Sequence, residues 1–208
     1  MPKTVDHEER RAQIADALVL LAAREGLHTV TMRAVAAEAG VSLRLVQYYF
    51  KSKGQLMQAT LQRLERRSQE RWDNRLARLQ QPVDLRDYLE AFLAEALPED
   101  GESRTFHLVW TSYAILAMTD PELSEQPFVE GPNRLERQLA DALKQGRAAG
   151  KLAADLDPAY EAARLLTLSH GLGTSVLVGQ RSAENAMSIM QQHLDELFQR
   201  TREERALS

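Results

Sequence analysis

The sequence contains no cysteine, and this absence removes several kinds of site at once. Without thiols there is no disulfide, no cysteine nucleophile and no cysteine-ligated zinc or iron–sulfur centre. We also find no glycine-rich phosphate loop and no pairing of a nucleophile with a base. The histidines lack the H-x-x-x-H spacing of a helical metal site. We therefore expect no metal, no other cofactor and no enzymatic activity.

Long apolar runs are missing as well. No stretch approaches the roughly 18 apolar residues of a membrane-spanning helix. The first residues, "MPKTVDHEERR", lack the apolar segment of a signal peptide. We expect a soluble, cytoplasmic protein without membrane contact.

The two signs of charge are unevenly distributed along the chain. Residues 1–80 contain 14 Lys/Arg and 9 Asp/Glu, whereas residues 81–208 contain 12 and 21. The first part therefore carries a net charge of +5 and the rest −9. Such a division suggests that the first part meets a polyanion, although chance segregation would produce it too.

Periodic apolar positions and capping residues predict an all-α protein with about nine helices. No two β-branched patches are joined by a hairpin turn. The predicted helices span about 7–25, 32–40, 43–49, 53–80, 84–97, 103–118, 121–150 with an interruption at "EGPN" (130–133), 158–178 and 183–205.

Residues 31–53 have the pattern of a helix-turn-helix. Thr31 and Ser42 are predicted N-caps of two short helices, and Gly40 in the "AGVS" turn between them can adopt a left-handed conformation. Val46 and Phe50, four residues apart, can face a small core. In this motif the second helix enters the DNA major groove.

The opposite side of that second helix carries donors suited to DNA. Arg44 can bind guanine through two hydrogen bonds, and Gln47 can do the same with adenine. Tyrosine hydroxyls and Lys53, at the start of the next helix, can reach phosphates. The alternative is that these are ordinary solvated surface residues.

The stretch "TMRAVAAEAGVSLRLVQYYFKSKGQLM" resembles the DNA-binding signature of the TetR family of bacterial transcriptional regulators. The resemblance covers about residues 10–60, whereas "GKLAADLDPAYEAARLLTLSHGLG" is similar only in layout. It implies DNA contacts from nine residues: Thr31, Arg33, Ser42, Leu43, Arg44, Gln47, Tyr48, Tyr49 and Lys53. Position 43 is often polar and position 47 usually aromatic in the family, so the operator cannot be copied from relatives.

A second basic segment, "RLERRSQERWDNR" (63–75), interleaves arginines with Glu65, Glu70 and Asp73. Charges surround the predicted helix, so we interpret this segment as a solvated, ion-paired face and not as a second nucleic-acid site.

The last two predicted helices carry wide apolar stripes. The resemblance implies that this pair from each of two subunits forms a four-helix homodimer interface. The alternative is a core within one chain. The candidate interface residues are Leu165, Ser169, Leu172, Gly173, Val176, Ile189, Met190, Leu194 and Leu197.

Aromatic residues are concentrated in the central helices. Most are expected to be core, but Phe106, His107, Trp110 and Tyr113 are candidates for a ligand pocket, since His and Tyr supply polar groups within an apolar wall. No charged residue is obviously committed to such a pocket, so the expected ligand is apolar or aromatic.

Together these features predict a helix-turn-helix domain over residues 1–54 and a helical effector-binding and dimerisation domain over residues 55–208. The predicted function is a ligand-responsive transcriptional regulator, a repressor that a small molecule releases from a palindromic DNA operator. The alternative is an all-α small-molecule binding or scaffolding protein that does not bind DNA.

Overall fold

The computed structural model of the protein describes residues 6–206, with side chains up to residue 199. No strand occurs in this range, which confirms the all-α prediction. The described residues form ten α-helices: α1 (His7–Glu25), α2 (Met32–Glu38), α3 (Leu43–Tyr49), α4 (Lys53–Ala77), α5 (Leu85–Ala96), α6 (Gly101–Ala117), α7 (Pro121–Ser124), α8 (Glu130–Ala148), α9 (Pro158–Leu177) and α10 (Ala183–Ala206). A short 3-10 helix, Leu27–Thr29, follows α1.

The chain forms two compact units. The first unit contains the residues up to Arg67 together with Leu108–Phe128, and the second contains Ser68–His107 together with the residues from Val129 onward. Both α4 and α6 contribute residues to each unit. The predicted boundary between functional domains at residues 54 and 55 stays a prediction.

The helix-turn-helix forms in the first unit as the capping residues predict. The Thr31 hydroxyl oxygen accepts a hydrogen bond from the Ala34 amide at 3.1 Å, and the Ser42 hydroxyl oxygen accepts one from the Leu45 amide at 3.2 Å. These bonds satisfy amides that a helix start leaves without an intrahelical partner. Gly40 has a φ of 64°, so the turn uses the left-handed conformation expected there.

The side chains of Ser52 and Gln55 both accept capping hydrogen bonds at the N-terminal end of α4. The Ser52 hydroxyl oxygen accepts from the Gln55 amide at 3.2 Å, as the S-x-x-Q pattern predicts. The Gln55 carboxamide oxygen, however, accepts from the amide of Lys51 at 3.3 Å, one residue before the expected partner.

The interruption predicted at residues 130–133 was misplaced. These residues form the first turn of α8, and the break lies before Glu130. Pro132 is tolerated there because the first turn of a helix needs no amide donor. Helix α4 also ends at Ala77 and not at Gln80.

The core of the second unit forms where α5, α8, α9 and α10 pack together. Its fully buried side chains include Leu89, Leu93, Leu139, Leu143 and Leu165. Eight of the nine residues predicted for the dimer interface are already buried within this single chain, and Ile189 is half-buried. They therefore pack α9 and α10 onto the core of their own unit.

No helix between residues 6 and 206 is both long enough and apolar enough to cross a membrane.

Candidate nucleic-acid interface

Helix α3 is held in the first unit by its inward side. The Val46 side chain is fully buried and Phe50, which caps the C-terminal end, is 2% exposed. Val35 of α2 is fully buried as well. These anchors confirm the predicted inward face and turn the other side of α3 to solvent.

The outward side carries most of the residues predicted to contact DNA. Tyr48 is 70% exposed, whereas tyrosines in folded proteins are on average partly buried. Three of the nine residues are half-buried, namely Leu43, Tyr49 and Lys53. The other six are exposed: Thr31, Arg33, Ser42, Arg44, Gln47 and Tyr48. All nine belong to the first unit, along α2, α3 and the start of α4.

Tyr49 differs from Tyr48 because its hydroxyl is hydrogen-bonded to a residue of α1. The Tyr49 oxygen lies 2.9 Å from Nδ1 of His7, and the two rings meet edge to face at 5.8 Å between centroids. The Tyr48 ring packs edge-on against Tyr49 at 5.2 Å. Sequence reasoning missed His7, since no local pattern connects residues 42 positions apart.

Arg11 fixes the C-terminal end of α3. Its Nη1 donates to the carbonyl oxygen of Tyr49 at 3.1 Å, and its guanidinium lies 4.6 Å above the centre of the Phe50 ring. The first contact satisfies a carbonyl at a helix end, and the second is a cation–π contact. Arg11 was not among the predicted residues, but its position orients the helix that carries them.

The N-terminal end of α4 receives a carboxylate from α7. Oε1 of Glu122 accepts a hydrogen bond from the Gly54 amide at 3.0 Å, and both residues belong to the first unit. An anion at a helix N-terminus is favoured by the helix dipole. A side chain on Gly54 would place its Cβ 2.9 Å from the same oxygen, so glycine allows this close approach.

The segment 63–75 is ion-paired, as predicted, but its partners come from other helices. In the first unit Arg63 binds Asp16 of α1 through two hydrogen bonds of 3.0 and 3.1 Å. In the second unit Arg71 and Arg75 both bind Glu95 of α5. The acidic residues within the segment had been the expected partners.

The four candidate pocket residues fall in different units. Phe106 and His107 lie in the second unit, where burial lowers the pKa of the His107 imidazole to about 4. Trp110 and Tyr113 lie in the first unit. Tyr113 is fully buried, its hydroxyl lies 3.4 Å from the Leu123 carbonyl oxygen, and burial raises its pKa to about 12. This environment favours a core role for Tyr113, and the pocket stays a prediction.

Comparison with known proteins identifies this arrangement. The model of the N-terminal domain of bacterial regulatory proteins of the tetR family matches residues 14–60, which contain α2 and α3. The model of the C-terminal domain of BetI-type transcriptional repressors matches residues 85–199. The chain belongs to the TetR family. TetR-family proteins are DNA-binding transcriptional regulators and not enzymes, and the predicted function is confirmed at this level.

Individual relatives in the TetR family are similar in sequence to this protein over most of the chain. The chain is 26% identical over 204 residues to the regulator PksA of Bacillus subtilis, covering 95% of this chain and 94% of PksA. It is 30% identical over 163 residues to the regulator BetI of Paraburkholderia xenovorans, covering 76% of this chain and 83% of that protein.

Solved structures of the TetR fold superpose closely. A TetR-family regulator from Rhodococcus sp. has a TM-score of 0.81 at 26% identity, covering 92% of this chain and 99% of its own. A transcriptional regulator from Saccharomonospora viridis, crystallised in complex with choline, has a TM-score of 0.75 at 28% identity, covering 91% and 95%.

Proposed function

We propose that this TetR-family regulator is a homodimeric repressor that inserts two copies of α3 into a palindromic operator and leaves it when a small molecule binds. The observation that carries the proposal is the outward side of α3. It presents Arg44, Gln47 and Tyr48 to solvent on a helix whose other side is fixed in a core.

Arg44 and Gln47 are proposed to read bases, and the others to hold the DNA backbone. Both side chains are exposed on the second helix of the motif, where a bidentate contact to guanine or adenine discriminates by about 1–3 kcal/mol. The proposed backbone contacts come from Thr31, Arg33, Ser42, Tyr48 and Lys53, and Tyr49, whose hydroxyl is hydrogen-bonded to His7, supports the ring of Tyr48. Leu43, being apolar, would instead touch a thymine methyl group.

The proposed dimer uses α9 and α10 of each chain as a four-helix bundle. Because the residues first predicted for it are buried in their own unit, the contact surface must come from the exposed side of these helices. Exposed residues recur at alternating spacings of four and three along α9 and its C-terminal cap: Tyr160, Arg164, Thr167, Gly171, Thr174 and Val178. Tyr160 and Val178 are 70% and 73% exposed, and a partner chain would cover them.

The effector is proposed to bind among the helices of the C-terminal part, matched by the BetI-type model. Choline, bound by the Saccharomonospora viridis regulator, is a first compound to test. Release of DNA requires little free energy: a loss of 10–100-fold in affinity corresponds to about 1.4–2.8 kcal/mol of coupling.

Selection of bound sequences from random double-stranded DNA tests the proposal. The expected result is a palindromic consensus that Arg44→Ala and Gln47→Ala change at different base pairs. Repeating the selection with candidate ligands identifies the effector as the compound that abolishes enrichment. If no sequence is enriched, the alternative of a helical binding or scaffolding protein replaces this one.

A further inference from the structure

The first turn of α1 contacts the C-terminal end of α3 within the first unit. His7 is the first residue of α1, and its exposed side chain reaches Tyr49, 42 positions later in the sequence. Arg11, one turn further along α1, reaches the same tyrosine. Residues four apart lie on one side of a helix, so one side of α1 holds the residue next to Tyr48.

Tyr49 is held at two points, its backbone and the tip of its side chain. Its carbonyl oxygen accepts a hydrogen bond from Arg11 Nη1 at 3.1 Å, and its hydroxyl oxygen lies 2.9 Å from Nδ1 of His7. The rings of His7 and Tyr49 also meet edge to face, with 5.8 Å between their centroids. A hydrogen bond at the tip of a side chain selects one of its rotamers, so these contacts fix the orientation of the Tyr49 ring.

Tyr48, which is proposed to contact a DNA phosphate, has far less support of its own. It is 70% exposed, and among the described ring pairs only Tyr49 packs against it, edge-on at 5.2 Å between centroids. Edge-to-face aromatic pairs are favourable beyond the area that they bury. The orientation of the Tyr48 ring therefore depends on Tyr49 and, through Tyr49, on His7.

The order of an exposed side chain affects how tightly it binds a partner. Fixing a mobile side chain in one rotamer at an interface lowers affinity by about two- to tenfold. A side chain that is already ordered in its bound orientation avoids this loss. An exposed tyrosine that contacts a phosphate therefore benefits from a neighbour that fixes its ring.

We propose that His7 is a positioning residue for DNA binding: it holds Tyr49, which orders Tyr48 for its phosphate contact. The inference rests on the proposed function, because it requires that α3 meets DNA. In this arrangement His7 does not touch the duplex, and its effect passes through two rings. The charges beside His7 agree with an indirect role, since the first turn of α1 also carries Glu8 and Glu9, whose carboxylates repel a phosphate.

Gel shift with the full-length protein tests the proposal on the selected operator and on random DNA. His7→Ala should weaken binding to both by a similar factor of about three- to tenfold, because a phosphate contact carries no sequence information. His7→Gln keeps a hydrogen-bonding group beside Tyr49 and should recover part of this loss. His28→Ala removes another exposed histidine of the first unit and is the matched control, with an expected change of less than about twofold.

A double variant separates an effect through Tyr48 from any other effect of His7. Because His7 acts through Tyr48, adding His7→Ala to Tyr48→Ala should lower affinity by no more than about twofold further. Circular dichroism checks that every variant is folded at the temperature of the measurement. If His7→Ala fails to fold, His7→Phe keeps the ring, removes the hydrogen bond to Tyr49 and takes its place.

Additive losses in the double variant overturn the inference, because His7 would then affect DNA binding without Tyr48. An unchanged affinity of His7→Ala overturns it as well, and so does equally tight binding by Tyr48→Ala and the unmodified protein. In each of these cases an unmodified protein that selects an operator keeps the proposed function. An unmodified protein that selects no DNA sequence loses the proposed function itself, and this inference with it.

Discussion

At the scale of single residues, two adjacent tyrosines have different environments. Tyr48 exposes 70% of its surface, and its ring contacts only the edge of Tyr49 among the described ring pairs. Tyr49 is half-buried and hydrogen-bonded to His7. A hydroxyl that faces solvent is available to a phosphate, whereas one that already has a partner contributes to the fold.

Removing each hydroxyl separates these roles. Tyr48→Phe should weaken binding to all DNA sequences by a similar factor, about 0.5–1.5 kcal/mol for one hydrogen bond, and leave the melting temperature unchanged. Tyr49→Phe should lower the free energy of unfolding by about 0.5–1 kcal/mol, since it removes the contact with α1. Gel shift and urea denaturation measure the two effects. A lower melting temperature of the Tyr48→Phe variant would mean that the Tyr48 hydroxyl has a hydrogen-bond partner within the protein.

Arg44 and Gln47 should behave differently from Tyr48. Each alanine substitution should cost about 1–3 kcal/mol on the selected operator and relax the preference at particular base pairs. Neither should affect folding, because both side chains are exposed. Lys51→Ala, on an exposed position beside the motif, is the control and should lower affinity without changing preference. If Arg44→Ala weakened binding to the operator and to random DNA equally, Arg44 would contact phosphate and not a base.

At the scale of the helices, the local sequence pattern was sufficient to predict contacts between residues a few positions apart. Thr31 and Ser42 bond to amides three residues ahead, and Val46 and Phe50 share one side of α3 because they are four residues apart. Contacts between distant parts of the sequence could not be predicted in this way. His7 reaches Tyr49 across 42 positions and Arg71 reaches Glu95 across 24, and both depend on how helices pack.

The contact between α7 and α4 gives a prediction about a helix end. Glu122→Ala should lower the free energy of unfolding by about 0.5–2 kcal/mol, since the Gly54 amide loses its acceptor. Glu122→Gln keeps an acceptor and should recover most of this loss. Glu125→Ala, in the exposed residue that ends α7, serves as the control and should change stability little. Chemical denaturation measures all three, and equal effects of Glu122→Ala and Glu122→Gln would show that charge matters more than the hydrogen bond.

At the scale of the whole molecule, the distribution of charge along the chain matches the position of the proposed DNA-binding site. The excess of cations in residues 1–80 coincides with the helix-turn-helix, and the excess of acids follows in the remaining residues. A field of this kind attracts DNA to one part of the chain and discourages it elsewhere, and it makes binding sensitive to salt.

The two-fold symmetry of the proposed dimer predicts how the operator must be spaced. Two α3 helices facing successive major grooves require half-sites roughly 34–36 Å apart, about one turn of DNA, or a multiple of it. Inserting about five base pairs between the half-sites turns one of them to the opposite side of the duplex. Gel shift should then show affinity falling to that of random DNA, because the second α3 can no longer reach its bases. Undiminished binding to this spaced operator would mean that each chain recognises its half-site alone, and the dimer would not be part of recognition.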